Sequence, residues 1–262
     1  MYPNFSTVKK GRNVKLTANI PGVDEGEIEY IWEGRIAETS TYEVGTHEVR
    51  VKAVDNYGHE SDWVTKTFTV SNVEVPKLSA ILISGNNFNI LGNGNKTTYN
   101  NAGYTTFFAV NGASANINHG YGIVNNVSLT TKLGVVEDGN YAQIEYVVTN
   151  NSNENRTVSI ATHADIMINN NDRARIDNTP GEKGFVMTDG NYYYNVVLRG
   201  EKDITDVDAY WFGLYSQRTN NLWSNYHPQS LVNTDSGMVY SWQNRVLAPG
   251  ETKSFIIKIG LE

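Results

Sequence analysis

The sequence predicts an all-β protein of two modules, a small β-sandwich followed by a larger antiparallel one, and three observations predict it. The first is composition. Among 262 residues there are 16 Tyr and 5 Trp against 4 Met, and aromatic residues suit pleated sheets better than helical cores built on Leu, Ala and Met. The second is period: apolar and polar residues alternate over short stretches, and no 3.6-residue apolar stripe of useful length occurs. The third is punctuation. About one residue in eight is Asn and 23 are Gly, the residues that tolerate the positive φ of tight turns. A chain of this length exceeds one ordinary sandwich, and either part can bury a core without disulfides or metals.

The first module reads as strands from residue 13 to residue 70. Val14, Leu16, Ala18 and Ile20 fall on one face of a strand, and Pro21-Gly22 with Asp24-Glu25-Gly26 turns the chain. Ile28–Trp32 is the next strand, with Trp32 as a core plug. Tyr42-Glu43-Val44-Gly45 leads into a strand that sends Val49, Val51 and Ala53 inward and Glu48, Arg50 and Lys52 outward. Asp55-Asn56-Tyr57-Gly58 forms a turn with Asp55 as acceptor, and Trp63 through Val70 closes the sheet, with Trp63 in the core. The order Tyr30-x-Trp32, Tyr42-x-x-Gly45-x-His47-x-Val49-x-Val51, Ala53-x-Asp55-x-x-Gly58, Ser61-x-Trp63, Phe68-x-Val70 resembles the immunoglobulin-like and PKD-like modules of bacterial surface proteins. The resemblance covers about 60 residues. It implies an immunoglobulin-like sandwich acting as a spacer, with no chemistry of its own.

Val73-Glu74-Val75-Pro76-Lys77 reads as the linker, which sets the modules at 1–73 and 74–262. The second module offers strands at 80–83, 105–110, 123–133, 142–149, 157–168, 184–187, 192–198, 209–215, 237–242 and 254–260. Polar turns separate them, as at Glu137-Asp138-Gly139-Asn140, Asn150-Asn151-Ser152-Asn153 and Asp189-Gly190-Asn191. So many strands require a large sandwich. With the closing hairpin Leu247-Ala248-Pro249-Gly250-Glu251-Thr252 and Phe255-Ile256-Ile257, the module resembles the galactose-mutarotase-like super-sandwich in size and strand density. No internal repeat is visible, which disfavours a solenoid or propeller.

A net charge of −7 with scattered Lys and Arg gives no electrostatic reason to approach nucleic acid, and no apolar run is long enough to span a membrane. There is no Cys, which argues against a disulfide-stapled secreted domain and excludes thiol chemistry. With its Asn-, Lys- and Ile-rich usage, this is the composition expected of an exported bacterial protein at the cell surface or secreted. Tyr2-Pro3-Asn4 leads into a strand pattern without a leader, and Leu261-Glu262 follows a finished strand, as expected of a cloned fragment of a longer protein.

Chemistry-bearing residues concentrate in the second module. His163, Asp165 and Met167 share one face of an extended strand, setting an imidazole and a carboxylate about 7 Å apart. Asp172 and Arg173 follow in an Asn-rich segment, and these four polar residues are the catalytic candidates. Asp165, Asp172 and Asp177 are hard oxygen ligands of the kind Ca²⁺ accepts, although the EF-hand pattern is absent. A polar hairpin tip with Asn in the left-handed region explains the same segment without a ligand. No cofactor other than Ca²⁺ is suggested. Trp223, Tyr226, His227 and Arg245, in a loop or beside aromatic strands, are the candidates for gripping a sugar, because aromatic rings stack on sugar C–H faces while polar groups read hydroxyls. Asp203, Asp206 and Asp208 lie in a polar run that leaves a carboxylate pair for glycoside hydrolysis open, since spacing in sequence does not set the separation of carboxyl groups that such a pair needs. Gly-x-Ser-x-Gly and the zinc spacings are absent, and the five His are dispersed. The functional expectation is a non-catalytic binding, adhesion or display module whose partner is carbohydrate or a host or matrix protein. A carbohydrate-active enzyme domain and a structural stalk or coat component are the alternatives.

Overall fold

The computed structural model describes residues 7–11, 13–20, 23, 27–74, 77–136 and 140–261. It is nearly all β and divides into two compact units, Met1–Val75 and Pro76–Glu262.

The first unit contains β1 (Thr7–Lys10), β2 (Asn13–Lys15), β3 (Ile28–Glu33), β4 (Thr39–Thr41), β5 (Gly45–Asp55) and β6 (Val64–Glu74). Four of them form a sheet in the order β1-β6-β5-β3, while β2 and β4 pair separately. β1 runs parallel to β6, and the other neighbours are antiparallel. Tyr42, Val49, Phe68 and Val70 make the core, with Val8, Val14, Leu16 and Trp32 packed on it. Tyr42 meets Phe68 edge-to-face at 5.0 Å, the geometry that ring quadrupoles favour. Asp55 accepts from the backbone N–H of Tyr57 and His59 at 2.9 and 2.8 Å.

Three details differ from the sequence reading. The strand expected through Ile20 ends at Lys15, because its partner β4 is only three residues long, and Ile20 is exposed. Trp63 is not a core plug: it precedes β6 and lies under Arg50 and Lys52, whose cations sit 4.7 and 5.3 Å from the ring centroid. β6 continues through Val73 and Glu74, where a linker was expected; Val75 and Pro76 lie outside the described residues.

The second unit opens with β7 (Leu78–Leu82), β8 (Phe88–Gly92) and β9 (Asn95–Lys96), a three-stranded sheet. Then follow β10 (Thr105–Val110), β11 (Ala113–Asn116), β12 (Tyr121–Val124), β13 (Val127–Val136), β14 (Tyr141–Asn150), β15 (Arg156–Asp165), β16 (Arg175–Asn178), β17 (Gly184–Asp189), β18 (Tyr192–Val197), β19 (Ala209–Leu214), β20 (Ser230–Leu231), β21 (Ser236–Leu247) and β22 (Thr252–Leu261). They build an eight-stranded sheet, β12-β13-β14-β22-β18-β17-β16-β20, and a five-stranded sheet, β11-β10-β15-β21-β19. One continuous core joins them, so the two sheets face each other as a sandwich.

Tyrosine hydroxyls inside this core are paired. The Tyr146 and Tyr240 hydroxyls, from opposite sheets, lie 2.7 Å apart, and Tyr146 also reaches Thr162 at 2.8 Å. Tyr104 and Tyr194 meet at 2.7 Å. Burial pushes Tyr104 and Tyr146 up to about 12, so these phenols stay neutral and serve as hydrogen-bonding groups.

The single strand expected over 123–133 is two. Asn125 and Asn126, at φ 48° and 60°, make a hairpin turn between β12 and β13, because both central positions of such a turn need positive φ. Leu261, expected beyond the last strand, pairs with Tyr194 inside β22 and is buried. The strand expected through Ile168 stops at Asp165, and a tip at Asn169-Asn170 (φ 52° and 59°) follows.

Each unit encloses its own core, so residues 76–262 expressed alone should keep a β-type circular dichroism spectrum and a cooperative melt. The full chain should show two calorimetric transitions, the larger enthalpy belonging to the larger unit. Loss of folded structure in the 76–262 fragment would contradict the division.

Candidate functional site

On β15 the residues Val158, Ile160, Thr162 and Ala164 turn into the core. Strand alternation therefore places Thr157, Ser159, Ala161, His163 and Asp165 on the outer face of the five-stranded sheet. A bulge shapes that face. Val158 pairs with Arg245 and Ile160 with Trp242, so Ser159 alone opposes both Gln243 and Asn244. Asn244 takes φ 53° and donates its backbone N–H to the Ser159 hydroxyl at 3.0 Å. Asp208 accepts the backbone N–H of Gln243 at 2.6 Å. Gln243 stays on the outer face, where its amide donates to the Ser241 hydroxyl at 3.2 Å and to the Trp223 carbonyl at 3.1 Å.

A groove of about 320 Å³ opens beside the bulge. Its floor is Ala109, Thr157 and Ser159; the Asn111-Gly112 turn, Gln243 and Asn244 border it, and Trp223 forms a wall. Asn111 is locked in place: it donates its N–H to the Thr157 carbonyl at 3.0 Å and accepts the Thr157 N–H on its side chain at 2.9 Å. Trp223 is 40% exposed and follows a 3-10 turn at Tyr215–Asn221. Gly237 lets that turn lie on β21, since a Cβ there would come within 3.0 Å of the Tyr215 Cα. The lining consists of an indole, amides and hydroxyls, and none of these residues is charged.

Of the four ligand-binding candidates, the structure brings only Trp223 to this groove. Tyr226 is 77% exposed and does not line it. His227 stacks on Tyr210 at 4.1 Å and 14°, toward Phe212. Both of those rings belong to the core face of β19, so His227 lies on the opposite side of the sheet from Trp223. Arg245 stands opposite the core residue Val158, and the bulge turns it away from the outer face. It pairs with Asp208 at 2.7 Å, while its Nε is buried without a partner. The other carboxylates of that run are engaged as well: Asp206 accepts the Gly200 N–H at 2.8 Å, and Asp203 lies 4.0 Å from Lys258.

The catalytic candidates gather at the other end of β15. His163 is 6% exposed, and Arg218 donates from Nε to its Nδ1 at 3.1 Å. A guanidinium can only donate, so His163 is the neutral tautomer carrying its proton on Nε2. Burial first, and then the Arg218 charge, depress its pKa to about 4. Asp165 has one carboxylate oxygen buried without a partner. Burial, with repulsion from Asp235 and Asp172 against the pull of Arg218, pushes it up to about 7. Asp235 is likewise raised, by burial and then by Asp172, with Arg173 and Arg218 opposing. Asp235 and Arg218 are members of this centre that the sequence reading missed. They lie far from residue 163 in the chain and converge only through the β15–β21 pairing and the 3-10 turn.

Asp177, the third calcium candidate, is held by Arg175 through two contacts of 2.6 Å on β16, in the other sheet. Among the described residues, no three His, Asp or Glu side chains are grouped to hold a metal ion. No described helix is long and apolar enough to cross a membrane.

No family model matches the chain, and no curated protein matches it. Among solved structures, a chain titled as a polysaccharide lyase aligns with 73% of this chain at 11% identity and a TM-score of 0.48. The present chain spans 33% of that chain's length. A likeness of this degree bears on neither ligand nor activity.

The two shifted groups on β15 pull stability in opposite directions with pH. Asp165 is raised from 3.8 to about 7, so the folded protein holds a proton that the unfolded chain releases, and stability falls as pH rises through that window. His163 is lowered from 6.5 to about 4, so stability falls as pH drops through its own window. Asp165→Asn should therefore raise the melting temperature at pH 8 more than at pH 4.5. The corresponding difference in stability should be about 1–2 kcal/mol, below the full linkage value because Asp165 is only part-buried. Equal effects at the two pH values would contradict this account of Asp165.

Proposed function

We propose that the second unit is a carbohydrate-binding module of an extracellular bacterial surface or secreted protein, holding a neutral sugar in the Trp223 groove. One observation carries this reading: a half-exposed indole stands beside three side-chain amides and two hydroxyls with no charged group among them. An indole offers a flat apolar face to the C–H side of a pyranose, and amides and hydroxyls both donate to and accept from its hydroxyls. A polyanionic ligand would need cations, and the groove has none. The volume stands at the low end for a ligand site, which suits one or two sugar rings rather than a protein segment.

Catalysis is the second reading, favoured by Asp165, whose carboxyl at about 7 is half protonated at neutral pH, as a general acid requires. Product released from a bound polysaccharide by the wild type, and lost in Asp165→Asn, is the outcome that reading expects. Recovery of the polysaccharide intact from the wild type retires it.

The test of binding is affinity electrophoresis through gels holding soluble xylan, mannan or mixed-linkage glucan, with pectate and alginate as anionic comparisons. At least one neutral polysaccharide should retard the protein, and the anionic ones should not. Trp223→Ala should weaken that retention roughly tenfold to a hundredfold, since a stacked ring contributes about 1–3 kcal/mol. Migration unaffected by every neutral polysaccharide, or retention untouched by Trp223→Ala, would overturn the assignment.

A further inference from the structure

Beyond Ala109 the outer face of the sheet continues along β10. On β10 the residues Thr106, Phe108 and Val110 face the core, so Thr105, Phe107 and Ala109 continue along the outer face, each half-buried. Ala109 is part of the groove floor, and Phe107 is the next outward residue along the strand. Phe107 pairs with Asn116 of β11 on one side and with Ala161 of β15 on the other. Ala109 likewise pairs with Ser114 and Ser159. Directly paired residues point to the same face, so an aromatic ring lies between an exposed amide and the methyl of Ala161, one step from the groove. The Phe107 ring then meets His163 at 5.6 Å. The His163 ring is itself buried and fixed by Arg218 at Nδ1.

From Ala109 to Thr105 the lane adds about 13 Å at roughly 3.3 Å per residue. It carries the main features of the groove: a flat ring, Phe107 in place of Trp223, with the exposed Asn116 amide beside it and no charged side chain among its strand partners. We infer that the ligand site extends along β10, with Phe107 as a second stacking platform, and that the ligand is an internal stretch of a linear, uncharged glycan chain running from Trp223 past Ala109 and Phe107 toward Thr105. This rests on the carbohydrate reading of the Trp223 groove. A single sugar would engage Trp223 alone and leave Phe107 unused.

The experiment is calorimetric titration of the full chain with xylo-, manno- and cello-oligosaccharides of two and six units. For the series that binds, the hexaose should bind at least tenfold more tightly than the biose. Phe107→Ala should remove that gain while leaving biose affinity within about twofold. Trp223→Ala should weaken both. Phe107→Leu keeps apolar bulk without a ring, so it should lose the gain at an unchanged melting temperature, and Phe107→Tyr should restore it. Equal affinity for biose and hexaose, or a Phe107→Ala effect that is the same at both lengths, overturns the extended lane and leaves the Trp223 groove standing. Absence of binding by every oligosaccharide overturns the groove and the lane together.

Discussion

What the second unit presents to solvent depends on one extra residue in β21 opposite Ser159. Trp242 and Arg245 are three positions apart, which strict alternation would send to opposite faces of the sheet. The bulge lets both turn inward: Trp242 into the core, where its indole donates to the Thr205 carbonyl at 3.0 Å, and Arg245 to Asp208. Between them Gln243 is left on the outer face and Asn244 at its border. A regular ladder would put one member of the Trp242/Arg245 pair into the groove and bury polar Gln243 or Asn244 in its place. The neutrality of the groove and the packing of the core beneath it are therefore set by the same backbone irregularity. Asp208 is its clamp, binding the bulged N–H with one oxygen and the displaced guanidinium with the other.

The composition that looked unusual in the sequence has a physical use in the fold. Buried tyrosines fill the wide space between an eight-stranded and a five-stranded sheet, and each brings a hydroxyl that must be satisfied there. Four of them satisfy one another in two pairs, Tyr146 with Tyr240 across the two sheets and Tyr104 with Tyr194, with Thr106 and Thr162 joined at 2.7 Å beside them, while Tyr210 donates to Asn178. Asn serves the turns. Of the twelve described non-glycine residues with positive φ, ten are Asn, because its short side chain tolerates the left-handed region. Abundant Asn is therefore the signature of many tight hairpins, and the segment around Asn169-Asn170 belongs to that class. Asn169 and Asn171 bond to Asp189 there.

Alternation made the fold class legible, and it located the strands that are strictly amphipathic. Thr105–Val110 and the region of Ala142–Thr149 coincide with β10 and the body of β14. It failed where apolar residues continue across a turn, as at Asn125-Asn126, and where strands are short, as in β9, β11, β16 and β20. Trp223, His163 and Asp165 could be singled out because they carry unusual chemistry in a polar setting. Their neighbours could not. The groove draws on Ala109 and Asn111 from one strand end, Ser159 from another and Gln243 from a third, and only strand pairing brings these together. The separation of Trp223 from His227 was equally hidden: four residues in a loop gave no sign that the loop crosses a sheet edge.

That crossing ties the Trp223 loop to the sheet. β19 is the edge of the five-stranded sheet, and an uncovered edge is a template for unwanted strand pairing. The segment after the 3-10 turn covers it. Asn225 accepts the Tyr210 backbone N–H at 3.3 Å and a bond from Arg199 at 3.0 Å, and Arg199 also bonds the carbonyls of Val207 and Asp208. His227 then seals the inner side by stacking on Tyr210. Trp223, two residues before Asn225, is thereby held at the outer rim by contacts that the fold needs for its own protection. A wall fixed in this way would lose little conformational freedom if the proposed sugar ring stacked on it, so more of the stacking energy would be retained as affinity. The proposed ligand would not have to order the loop, because covering the edge has already tied it down.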